Sequence, residues 1–159
     1  MSINQTRILA LIAETRDSSK LRRLMENAER LGETDVYEAA FDRLVNLMPT
    51  SGLDPLDREY WRMINAFEHV LRLARGKSVP MTRTRQKVEK LGAQKALEEF
   101  APGKPETEGF ALLIEQGRPD LTSEAIILRN IGLFEADVSL AARQRLEAAG
   151  VDVSTLKAA

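Results

Sequence analysis

The chain reads as an all-α protein, and three properties lead to that fold class. Apolar residues recur at three- and four-residue spacing in almost every segment. Strict two-residue alternation, the mark of a half-buried strand, is nearly absent. Between the apolar stripes stand the residues that begin and end helices, Asp, Ser or Thr before and Gly or Pro after. With 159 residues, 43% hydrophobic and 30% charged, the chain can bury one core of a soluble globular domain. A compact bundle of about seven to nine helices is expected, with a small C-terminal helical subdomain packed on the rest.

The elements follow in order. Ile8, Leu11 and Ile12 predict a first short helix. Asp17, Ser18 or Ser19 can cap a second that carries Leu21, Leu24, Met25, Ala28 and Leu31 and stops at Gly32. Val36, Ala40, Phe41, Leu44, Val45 and Met48 make the stripe of a third, with Pro49 against its extension. The pair has the size of one tetratricopeptide-like unit, but no second copy follows and such units need stacked neighbours, so a plain helical hairpin is expected. The best-specified helix begins at "DPLDREYW": Asp54 as N-cap, Pro55 in the first turn, Asp57 at the positive end of the dipole and Gly76 as stop. Leu56, Tyr60, Met63, Ile64, Phe67, Val70, Leu71 and Ala74 share its broad apolar face, which makes it the expected central helix.

Thr82 or Thr84 can cap a helix with Met81, Thr84, Val88 and Leu91 on its buried side. Gly92 separates it from Ala93, Ala96, Leu97 and Phe100. "APGKPETEG" (101–109) is the most linker-like stretch and is expected to divide a core of residues 1–100 from a C-terminal unit of residues 110–150. In that unit Phe110, Leu113 and Ile114 precede Gly117, Thr122 can cap Ile126, Ile127 and Leu128, and a last helix spans about Glu135 to Ala149 with Gly150 as stop. Residues 151–159 read as a frayed tail.

Charge supplies the main functional signal. The formal net charge is −1, yet residues 71–95 hold eight cations (Arg72, Arg75, Lys77, Arg83, Arg85, Lys87, Lys90 and Lys95) against Glu89 alone. That segment carries +7 and the remainder −8. On a helix Arg83, Lys87 and Lys90 lie a turn apart on one solvent face, and the N-terminus of that helix can receive phosphate through free backbone N–H groups. "TRTRQKVEKLGAQKALEEFA" also fits a helix-turn-helix pattern in part, with Gly92 in the turn and Gln94 and Lys95 as edge contacts; Glu98 and Glu99 suit phosphate poorly. No aromatic residue lies between 71 and 95 to stack bases, so duplex DNA read through its backbone is the expected ligand. The competing reading is that acidic helices of the same chain quench the segment.

Catalytic patterns are missing. With no cysteine and His69 as the one histidine, thiolate and multi-histidine metal sites are excluded, and a serine relay would hang on His69, which the helical period places on a polar face with Arg62, Asn65 and Arg72. Neither common phosphate-loop spacing occurs, and "RPD" (118–120) lacks the lysine and strands of a metal-dependent nuclease. Neither an enzyme nor a cofactor or metal is therefore expected. Trp61 falls outside the apolar stripe, either against a second layer of helices or as a partner-binding anchor. The apolar run from Ile8 to Ala13 is too short to span a membrane and lacks a cleavage signal, so a cytoplasmic location is expected. The first functional reading is a non-enzymatic DNA-binding or DNA-associated regulatory protein. The alternative is a helical adaptor that binds another protein through Trp61 or the C-terminal helices.

Overall fold

The computed structural model describes residues 2–99 and 106–156. They form nine α-helices and three short 3₁₀ turns, with no strand among the described residues. Phe100 and residues 101–105 of the expected linker lie outside them, as do residues 157–159 of the expected tail. The chain divides into two compact units, Met1–Pro49 and Thr50–Ala159. The division falls at Pro49–Thr50, and helices from both sides of the linker-like stretch pack together in the second unit.

In the first unit, α1 (Ile3–Glu14) opens on a capping box: the Ser2 hydroxyl accepts from the Gln5 N–H and the Gln5 side chain accepts from the Ser2 N–H. It thus starts well before Ile8, and it leaves Leu11 exposed while burying Ile12. α2 (Ser18–Leu31) is capped by Asp17, which accepts from Ser19 and Lys20, and ends at Gly32 in the left-handed region, φ 71°. α3 (Thr34–Val45) buries Val36, Ala40, Phe41, Leu44 and Val45 and packs on both α1 and α2. It ends at Asn46, whose amide donates to the Asp42 carbonyl at 2.7 Å, three residues before the expected stop at Pro49. Arg43 Nε donates to the Thr15 carbonyl at 2.8 Å, which ties the end of α1 to α3.

The second unit is built round α4 (Pro55–Arg75). Asp54 accepts from the Asp57 N–H at 2.8 Å and Gly76 closes the helix at φ 68°. α4 packs against α5 (Thr82–Leu91), α6 (Ala93–Glu98), α7 (Glu108–Glu115) and α8 (Ser123–Arg129). With neighbours on so many sides it buries more than its apolar stripe, including Glu59, Trp61 and His69. The polar-face placement of His69 is thus corrected, since the residue is 6% exposed. Of the two readings of Trp61, the one against a second layer of helices holds, since the residue is 4% exposed. α7 begins at Thr107, whose hydroxyl accepts from the Phe110 N–H, so Glu108 and Gly109 are helical rather than linker. Gly109 is required there: a Cβ at this position would stand 2.9 Å from Phe67 Cδ1 of α4. Thr122 caps α8 through the Ala125 N–H at 3.2 Å, and α9 (Ala136–Ala148) packs on α8. Within the expected tail, Asp152 caps a 3₁₀ turn at Val153–Thr155.

Charged residues inside this unit were not anticipated. Arg129 Nε donates to Glu59 Oε1 at 2.7 Å, with side-chain exposures of 7% and 5%. Asn130 donates to the other Glu59 oxygen at 2.8 Å, and Arg129 also donates to the Asp120 carbonyl at 2.9 Å. Glu124, 3% exposed at its side chain, faces Arg145 at 3.4 Å and accepts from Ser123. Desolvation raises its pKa above the ordinary 4.5, against the opposing pull of those partners.

Candidate nucleic-acid interface

The basic segment spans the last turn of α4, the 76–81 connection, α5 and the start of α6. Gly92, at φ 82°, is shared between α5 and α6 and supplies the sharp corner that one residue must make. A helix-turn-helix needs a turn of three or four residues, so the resemblance to that motif stops at the presence of a glycine. On α5 only Val88 is buried; Met81 and Thr84 are partly covered and Leu91 is exposed. The buried stripe is narrower than expected because, among the described residues, α5 packs mainly on α4, apart from its own continuation α6. The narrow stripe leaves Arg83, Gln86, Lys87 and Lys90 exposed together.

A carboxylate of α4 stands at the N-terminus of α5 and takes one of its N–H groups. Neither Thr82 nor Thr84 caps it; Met81 holds the N-cap position, and its N–H donates to Glu68 Oε2 of α4 at 2.7 Å. The same carboxylate takes Arg85 in a two-point contact, from Nε at 3.0 Å and from Nη2 to Oε1. Arg85 thereby lies over Trp61, its Cζ 5.3 Å from the ring centroid. The hydrogen bond to Glu68 raises the Arg85 pKa above its ordinary value, outweighing desolvation. Arg85 and Trp61 therefore belong to the joint between α4 and α5. α6 is closed in a similar way, its Ala93 N–H donating to Asp57 Oδ1 at 2.8 Å.

Two more of the eight cations are paired. Arg75 meets Glu108 at the start of α7, and Lys87 meets Glu99; both pairs are about half exposed. Gln94 donates to Glu98 at 3.3 Å and to the Leu133 carbonyl at 3.2 Å. Arg72, Lys77, Arg83, Lys90 and Lys95 have no ion-pair partner among the described residues. All of them but Arg72 are exposed, and Arg72 is partly so. The fold thus quenches three of the eight and leaves five facing solvent.

The sequence assigned no cation to the carboxylates that do the quenching, Glu68, Glu99 and Glu108. Glu68 lies 13 residues from Met81 and 17 from Arg85, and no periodicity links such positions. For Glu59 a signal did exist: it stands one turn before Met63, on the apolar side of α4, where a carboxylate calls for a buried partner. No group of histidine, cysteine and acidic residues suited to a metal occurs among the described residues, and no helix of the described residues is long and apolar enough to cross a membrane. Comparison with protein families, with curated proteins and with solved structures gives no match to this chain.

Proposed function

We propose that this is a non-enzymatic, cytoplasmic, DNA-associated regulatory protein that contacts duplex phosphates through the exposed side of α5. Arg83 and Lys90 are the principal contacts, and Lys87 joins them once a phosphate displaces Glu99. Lys95 and Gln94 flank the contact on one side, and Lys77 and Arg72 on the other. Arg85 and Arg75 are withdrawn from the contact by Glu68 and Glu108. One observation carries the reading: five of the eight cations in a segment of charge +7 lack a carboxylate partner among the described residues. Three like charges on one face of α5 repel one another by tenths of a kcal/mol per pair, and a polyanion relieves that repulsion. Because both helix N-termini are met by carboxylates, binding would rest on side-chain charge and carry little sequence preference.

Anisotropy titration of a mixed-sequence duplex tests this. With about four phosphates neutralised, affinity should fall roughly a hundredfold between 50 and 200 mM salt. Reversing charge at Arg83, Lys87 and Lys90 should abolish binding while leaving the far-UV circular dichroism unchanged. Salt-insensitive binding, or equal binding by the triple variant, excludes the reading.

The adaptor reading is left with the C-terminal helices, where Leu133 and Leu140 are exposed. It predicts a protein complex that persists at high salt and is lost with Leu133→Asp. Trp61 has no part in it, since the ring is buried.

A further inference from the structure

A second surface feature lies away from the basic segment. Ile131, Phe134, Ala136, Ser139, Leu140 and Arg143 line an open groove of about 380 Å³, between the 3₁₀ turn at 131–133 and the first two turns of α9. That volume falls at the lower end of small-molecule sites. Most of the lining is hydrocarbon, and two of its side chains are unusually open for their type: Ile131 is 51% exposed and Leu140 54%. Both would gain from a covering apolar chain.

The two polar residues of the groove stand one helical turn apart on α9, so their side chains are neighbours. Ser139 is 6% exposed, and its hydroxyl oxygen has no hydrogen-bond partner among the described residues. Buried hydroxyls are ordinarily paired, and an orphaned one marks a place where a partner is missing. Arg143 is about half exposed and touches Glu147 at 3.9 Å, the outer limit of an ion pair. Its guanidinium has donors to spare.

A ligand that satisfies all these features has an apolar body and an acceptor with negative charge at one end. A neutral hydrocarbon would leave Ser139 unpaired, and an amphiphilic cation would meet Arg143. A polyanion would gain nothing from Ile131 and Leu140. We propose that this groove binds a medium-chain carboxylic acid, its chain lying over Ile131, Phe134 and Leu140 and its carboxylate accepting from Arg143 and from Ser139 Oγ–H. Ser139 Oγ is enclosed in the free protein, so its contact with the carboxylate requires a χ1 step between staggered wells.

Calorimetric titration of the full chain with dodecanoate below its micelle concentration tests the proposal, with dodecyltrimethylammonium as the probe of equal tail and opposite charge. Saturable one-to-one binding of dodecanoate alone is expected. Arg143→Gln should weaken it by about tenfold, the worth of one charge-assisted hydrogen bond. Leu140→Asp should remove it. Both positions are exposed, so circular dichroism should show both variants folded, and the α5 triple variant should bind dodecanoate normally. Absence of saturable binding, equal affinity for the two amphiphiles, or an Arg143→Gln variant that binds as the parent does would each overturn it.

Discussion

Arg129–Glu59 and Lys87–Glu99 join the same kinds of charged group, and both link helices of the second unit, but their surroundings differ. The side chains of the first pair are 7% and 5% exposed and share hydrogen bonds with Asn130 and the Asp120 carbonyl. Those of the second are 42% and 51% exposed. Burial makes each member of the first pair indispensable to the other, because an isolated charge in the interior cannot recover its hydration. Water around the second pair screens the attraction and offers both groups an alternative. A buried cation is therefore committed to the fold, and an exposed one stays available to an outside anion. Arg85 lies between these extremes, with a carboxylate on one side, an indole on the other and 37% of its side chain exposed.

That ordering can be tested by removing one cation at a time and measuring urea unfolding. Arg129→Ala should cost most, about 3–5 kcal/mol, since Glu59 is left charged and buried. Glu59→Gln in the same background should recover part of the loss. Arg85→Ala comes next at about 1–2 kcal/mol, for a charge-assisted contact and a partly exposed cation–π pair. The emission of Trp61, the one tryptophan of the chain, should shift in that variant; unchanged emission would mean that Arg85 does not sit over the ring in solution.

The pH profile separates Glu124 from the surface carboxylates. Its folded-state pKa is raised above 4.5 by desolvation, so the folded protein holds a proton there that the unfolded chain has already released. Stability should then fall as pH rises from about 4.5 through the raised value. Glu124→Gln should remove that fall, and a parent profile without it would contradict the burial of this carboxyl. Lys87→Ala marks the small end of the series, within about 0.5 kcal/mol.

Local chemistry carried much of the architecture. Asp54 with Pro55, Asp17, Thr122, Gly32 and Gly76 act at helix ends through neighbours one to four residues away, and each stands where its spacing places it. Ser2 and Gln5 obeyed the same rule and extended α1 beyond its apolar stripe. The basic segment was visible as composition, but its fate was not. Whether Arg85 belongs to a joint or to a surface depends on Glu68, and the same carboxylate takes the Met81 N–H at the start of α5.

Helix content, helix ends and the excess of positive charge at 71–95 were settled by interactions within a few residues of chain, which is why reading along the sequence recovers them. Which cations are neutralised, why Trp61 and His69 are enclosed, and where the chain divides depend on contacts between residues far apart in sequence. Once α4 is packed against α5, α6, α7 and α8, only the line of Arg62, Asn65, Glu68 and Arg72 stays outside the core between Glu59 and Arg72, and Trp61 and His69 beside it are covered by those neighbours.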